Sequence, residues 1–175
     1  MPRQQGLREK KLMDERIDTA SRLIAASSEA VYAAFVDPER LMIWLPPTGM
    51  TGRALLFEPW EGGRYRIELS YDDPATAPGG AGKSDAASDI ASGRFLALEP
   101  GRAVVQTGEF ESDDPAFAGI MTMRWTFAAE AGGTRVTVAA TDVPSGITPE
   151  DHRDGMASSL ANLARLLEGG ASGGL

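Results

Sequence analysis

The stretch GIMTMRWTFAAEAGGTRVTVAAT, residues 119–141, leaves few folds open. Met121, Met123, Trp125 and Phe127 fall on one face of an extended chain, with Thr122, Arg124 and Thr126 on the other. Gly132-Gly133 turns the chain, and Val136, Val138 and Ala140 resume the alternation. Period-two patterning around a glycine turn reads as an antiparallel hairpin with one buried face. That face needs a cover, and the next segment can supply it. Thr148-Pro149-Glu150 opens a helix with a capping hydroxyl, a first-turn proline and an acid, in that order. The helix is expected over 149–168, with His152, Met156, Ser159, Leu160, Leu163 and Leu167 along one stripe. Gly169-Gly170 is expected to end it.

Upstream, RIDTASRLIA (16–25) alternates loosely as a strand, and serines at 27 and 28 can cap a following helix. EAVYAAFV (29–36) has helical spacing, and Asp37-Pro38 starts a second short helix that stops at Pro46-Pro47. Strands follow at about 53–58 and 64–71, where Tyr65, Ile67, Leu69 and Tyr71 share a face. Two more, at 90–100 and 102–110, turn at Pro100-Gly101. The expected fold is α+β: an antiparallel sheet of six or seven strands around a C-terminal helix, with two short helices after the first strand. It forms one domain over 16–168, with flexible tails at 1–15 and 169–175.

APGGAGKS (77–84) invites a phosphate-loop reading, and three features refuse it. Ala77 stands where the motif needs glycine, Asp85 and Asp89 follow where phosphates would sit, and a strand rather than a helix comes next. The segment 72–89 is rich in Ala, Gly, Asp, Ser and Pro, and reads as a long mobile loop making few backbone hydrogen bonds. A net charge of −8 argues against nucleic acid, which requires a basic surface. With no cysteine, disulfides, thiolate nucleophiles and zinc–cysteine sites are excluded, as suits a reducing cytoplasm. No apolar run is long enough for a membrane span. A cytoplasmic protein without cofactor is the expectation.

In sequence order, the segments ASRLIAASSEAVYAAFVDPERLMIWLPPTG, EPWEGGRYRIEL, GRFLALEPGRAV, GGTRVTVAATDVP and HRDGMASSLANLARLLE resemble the bacterial SRPBCC (START-like, helix-grip) proteins. The branch is the one named after the activator of the heat-shock protein 90 ATPase, and the resemblance runs over about 17–168. It implies a curved sheet gripping the C-terminal helix, with an internal cavity between them. The family's helix commonly begins His-x-x-Gly-Trp, whereas here His152 is followed by Gly155-Met156. The missing indole should enlarge or soften the cavity.

The residues expected to face a ligand are Trp44, Phe57, Tyr65, Ile67, Phe95, Met121, Met123, Trp125, His152, Met156 and Leu160. Flexible thioethers suit a pocket that adapts to varied apolar shapes. With one histidine and no Gly-x-Ser-x-Gly elbow, a serine triad is not supported. His152, Glu58 and Arg66 are the available acid/base groups. Asp151 and Asp154 flank His152 but lie on other helix faces, so no metal site is expected. Three functions stay open: a binding protein for a hydrophobic or amphipathic small molecule, a module that meets a chaperone partner, and a cavity enzyme of cyclase, hydrolase or isomerase type.

Overall fold

A computed structural model describes residues 15–85 and 87–172, with side chains described as far as Gly169. Seven strands form one antiparallel sheet: β1 (Ile17–Ile24), β2 (Met50–Phe57), β3 (Arg64–Tyr71), β4 (Ser88–Glu99), β5 (Ala103–Phe110), β6 (Met121–Glu130) and β7 (Gly133–Thr141). Their spatial order is β1-β7-β6-β5-β4-β3-β2. Every neighbouring pair except β1–β7 is also consecutive in the chain. The first strand closes that pairing with Ile17 opposite Thr141 and Ile24 opposite Thr134. Register shifts between Ala54 and Leu56 in β2 and between Phe95 and Ala97 in β4 bend those strands. The curved sheet embraces one long helix.

Helices α1 (Ser28–Val36) and α2 (Pro38–Trp44) sit between β1 and β2. Ser27 Oγ accepts from the Ala30 amide at 3.1 Å, and Asp37 Oδ1 accepts from the Glu39 amide at 3.0 Å. The long helix α3 (Pro149–Ser172) starts where Thr148 Oγ1 accepts from the Asp151 amide at 3.1 Å. It runs past the expected stop: Gly169-Gly170 does not end it. Glycine inside a helix costs about 1 kcal/mol relative to alanine, which weakens a helix without breaking it. The N-terminal tail, apart from Glu15, lies outside the described residues.

The core concentrates where α1, α2 and the middle of α3 meet β5–β7. Phe35 packs its ring 4.6 Å from Trp44, 5.1 Å from Trp125 and 5.1 Å from Phe127, all in tilted or edge-on geometry. Such pairs add about 0.5–1.5 kcal/mol each beyond their burial. Val31, Val104, Val136, Val138, Leu160 and Leu163 are buried around them. Polar side chains of α3 pin the segment after α2 against the helix. Ser159 Oγ donates to the Leu45 carbonyl at 2.6 Å, and Asn162 Nδ2 to the Pro46 carbonyl at 2.9 Å. Ser158 Oγ accepts from the Thr48 amide at 2.8 Å.

The expectation for residues 72–89 needs correcting. The segment contains short 3-10 turns at Pro74–Thr76 and Pro78–Gly80, buries Ala77, and is held by many hydrogen bonds. Lys83 Nζ pairs with Asp89 Oδ2 at 2.9 Å, and the Lys83 amide donates to Asp89 Oδ1 at 2.6 Å. Ser84 Oγ accepts from the Ile90 amide at 2.7 Å, and Asp85 Oδ1 accepts from the amides of Ala87 and Ser88. Polar anchoring here replaces the apolar burial that the composition denies. The glycine run is explained as well: a Cβ on Gly82 would stand 2.3 Å from the Ser88 carbonyl oxygen. The chain must pass there bare, and a strand follows at Ser88 rather than a phosphate-binding helix.

Candidate functional site

A cavity of about 630 Å³ lies between the sheet and the N-terminal half of α3. The inward stripe of β3 (Tyr65, Ile67, Leu69 and Tyr71) forms one wall, because alternate residues of a strand share a face. Met121, Met123 and Trp125 of β6 form a second wall, and His152, Gly155, Met156 and Ser159 of α3 a third. The loop covers the fourth side with Thr76, Pro78, Gly79, Ala81 and Lys83, backed by Phe110 and Phe117. Lys83 Nζ stands 5.0 Å from the centre of the Phe110 ring and 5.9 Å from that of Phe117. Thr48, Gly49, Glu109, Thr148 and Asp151 are exposed and form a rim.

Seven of the eleven expected site residues therefore share this cavity: Tyr65, Ile67, Met121, Met123, Trp125, His152 and Met156. The other four do not line it. Trp44, Phe57 and Phe95 surround a separate void of about 20 Å³, deeper in the aromatic core. Leu160 is buried one helical turn beyond Met156, within that same core. The remaining acid/base candidates also fall away from the cavity. Glu58 Oε1 accepts from the Arg64 amide at 2.8 Å, and Arg66 forms a two-pronged pair with Glu111. Trp60 is 58% exposed and apart from the cavity. No group of three or more His, Asp or Glu side chains suited to a metal occurs among the described residues.

Sequence reasoning missed the group that organises His152. Asp18 of β1 is 3% exposed, and its Oδ2 lies 2.7 Å from His152 Nδ1, across 134 positions of sequence. Arg16 grips the same carboxylate with two bonds, at 3.0 and 2.8 Å. Burial alone would push the Asp18 pKa up, but hydrogen bonds from Arg16 and His152 outweigh it and hold it below the ordinary carboxylate range. An ionised Asp18 only accepts, so the proton of a neutral imidazole sits on Nδ1 and Nε2 becomes an acceptor. A signal existed: Asp18 alternates in phase with Ala20 and the fully buried Ile24. A carboxylate on the inward face of a strand must find partners.

Gln106 and two tyrosines add further polar groups to the lining. Tyr71 donates its hydroxyl to Asp89 Oδ2 at 3.2 Å, and burial together with the Asp89 charge raises its pKa, so it remains a phenol. Tyr65 donates to the Thr107 carbonyl, and burial pushes its pKa up to about 12. Trp125 Nε1 has no hydrogen-bond partner among the described residues. The arrangement is an apolar chamber with a few oriented polar groups, chiefly at the end nearest the first turns of α3.

The profile of the family described as "Activator of Hsp90 ATPase homolog 1-like protein" matches residues 25–168. The chain belongs to that family. Its fold is the helix-grip SRPBCC fold. A crystal structure of protein CV1439 from Chromobacterium violaceum is 31% identical, with a TM-score of 0.75 over 87% of this chain and 96% of that one. Two more distant structures share the fold. A Mycobacterium smegmatis protein, Ms6760, is 19% identical with a TM-score of 0.68, covering 88% of this chain and 91% of its own. An Aeromonas hydrophila relative, itself described as a member of this family type, is 20% identical with a TM-score of 0.63, covering 89% and 94%. Among curated proteins none matches the chain. No described helix is long and apolar enough to cross a membrane.

Proposed function

We propose that this family member binds a small apolar or amphipathic molecule in the cavity between sheet and helix. The observation that carries the reading is the chamber itself: about 630 Å³, walled by Ile67, Leu69, Met121, Met123, Met156 and Trp125, with polar groups gathered at one end. Ligand sites of small molecules have this size and this ratio of apolar wall to oriented polar groups. Thioether walls adapt at little energetic cost to different shapes.

Calorimetric titration with pentylbenzene tests the reading. Binding with a negative heat-capacity change is expected, since apolar surface leaves water. Met156→Trp restores the indole common in the family's helix and narrows the chamber, so affinity should fall at least tenfold while the melting temperature stays close to wild type. Absence of heat with wild-type protein, or equal affinity in the variant, overturns the proposal.

A further inference from the structure

We propose that the polar end of the cavity selects a neutral ligand head that donates a hydrogen bond, an apolar molecule bearing a phenolic hydroxyl, and discriminates against carboxylates. This rests on the binding reading above and adds the chemistry of the head group. The first observation is the orientation of His152. Its Nδ1 is committed to Asp18 at 2.7 Å, and Asp18 is in turn held by both prongs of Arg16. The imidazole lines the cavity, its side chain is 13% exposed, and none of the hydrogen bonds found among the described residues engages Nε2. With Nδ1 donating to Asp18, a ring that carries one proton presents an acceptor at Nε2, which matches a hydroxyl donor.

The second observation is the charge around the chamber. Its charged lining consists of Lys83, Asp89, Glu109 and Asp151, besides His152. Lys83 is the single lysine or arginine in that lining and is already paired with Asp89 at 2.9 Å. Glu109 and Asp151 leave an acidic excess, and both tyrosine hydroxyls already donate to protein acceptors. The start of α3, which could otherwise attract an anion, is occupied: Pro149 carries no amide hydrogen, Thr148 Oγ1 takes the Asp151 amide, and Glu150 and Asp151 stand in the first turn. A carboxylate head would enter without a free cation and against two carboxylates. A hydroxyl meets an oriented acceptor with no charge to desolvate.

The test uses four probes with one tail: pentylbenzene, 4-pentylphenol, 4-pentylbenzoate and 4-pentylbenzylamine. Each is titrated calorimetrically into the full-length protein at pH 7.5, and into His152→Phe and His152→Ala. The expected order is 4-pentylphenol tightest, threefold to tenfold tighter than pentylbenzene, the increment of one net hydrogen bond of about 0.5–1.5 kcal/mol. The benzoate should bind at least tenfold more weakly than the phenol. His152→Phe should abolish the gain of phenol over pentylbenzene while still binding pentylbenzene, and His152→Ala should behave alike if the larger substitution perturbs packing. If pentylbenzene binds and the phenol gains nothing, or keeps its gain in both variants, the head-group assignment is wrong although the cavity reading survives. Tighter binding of the benzoate or of the ammonium probe also overturns it. If none of the four binds, the cavity reading itself has failed.

Discussion

The space between sheet and helix has two ends, built from the same strands and the same helix yet filled differently. At one end α1 and α2 press Val31, Phe35, Leu41 and Trp44 onto Trp125, Phe127, Leu160 and Leu163, and almost no room is left. At the other, α3 faces the sheet without either short helix beside it. A polar-anchored loop stands over Ile67, Met121, Met123 and Met156, and the gap stays open. Met156 and Leu160 lie one turn apart on α3 and both join the core, but only Met156 also lines the chamber. The lesson is that an apolar stripe specifies burial, while the covering element decides whether burial means core or chamber.

The largest effect should come from the packed end. Trp44 is fully buried and donates Nε1 to the Ala34 carbonyl at 2.9 Å, so Trp44→Ala should lose about 3–5 kcal/mol in urea unfolding. A loss under 1 kcal/mol would dissolve the contrast between the ends.

Next comes the buried carboxylate that joins β1 to α3. Asp18→Asn removes an acceptor from both Arg16 and His152 and should cost about 1–3 kcal/mol at pH 7. Its pH dependence follows from the lowered pKa of Asp18. The unfolded carboxylate, near 3.9, binds protons more readily than the folded one, so the stabilisation is complete above that value and is lost as pH falls through the lower folded pKa. Urea midpoints measured from pH 7 down to 2.5 should converge for wild type and Asp18→Asn at the acid end. A constant gap down to pH 2.5 would show that ionisation of Asp18 is not what stabilises.

Much of the framework was legible beforehand: the strand alternation, the caps at Ser27, Asp37 and Thr148, and the inward faces of β3 and β6. Both kinds of failure were non-local. Asp18 and His152 meet only through the closure of β1 onto β7, and nothing near either residue announces the other. The loop was judged by its lack of apolar side chains, whereas Asp85 and Asp89 anchor it through hydrogen bonds that composition does not display. Trp44, Phe57 and Phe95 were placed with the cavity because an inward residue does not reveal at which end of the sheet it sits.

The loop supplies a smaller effect. Lys83→Met removes the cation from Asp89 but keeps the stem between Phe110 and Phe117, and should cost about 1 kcal/mol. The sharper readout is amide exchange: the Lys83 and Ile90 amides should be protected in wild type and exchange faster in the variant. Equal exchange would mean that the ion pair does not hold the cover. Smallest of all, Met123→Leu within the chamber should change stability by well under about 1.5 kcal/mol, the bound for volume-conserving swaps in packed cores, because the open cavity beside the side chain absorbs the change of shape. A larger loss in the melting curve would show that the chamber wall is packed as tightly as the aromatic end.

The most direct test of the chamber is methionine-methyl NMR with pentylbenzene added to the full-length protein. Met50, Met121, Met123 and Met156 line the cavity, whereas Met42 packs outside it against the core. The account predicts saturable shifts at the four cavity methyls with Met42 unmoved. Saturable shifts at Met42 with the cavity methyls unchanged, or no shifts at any methionine up to the solubility limit of the probe, would contradict it.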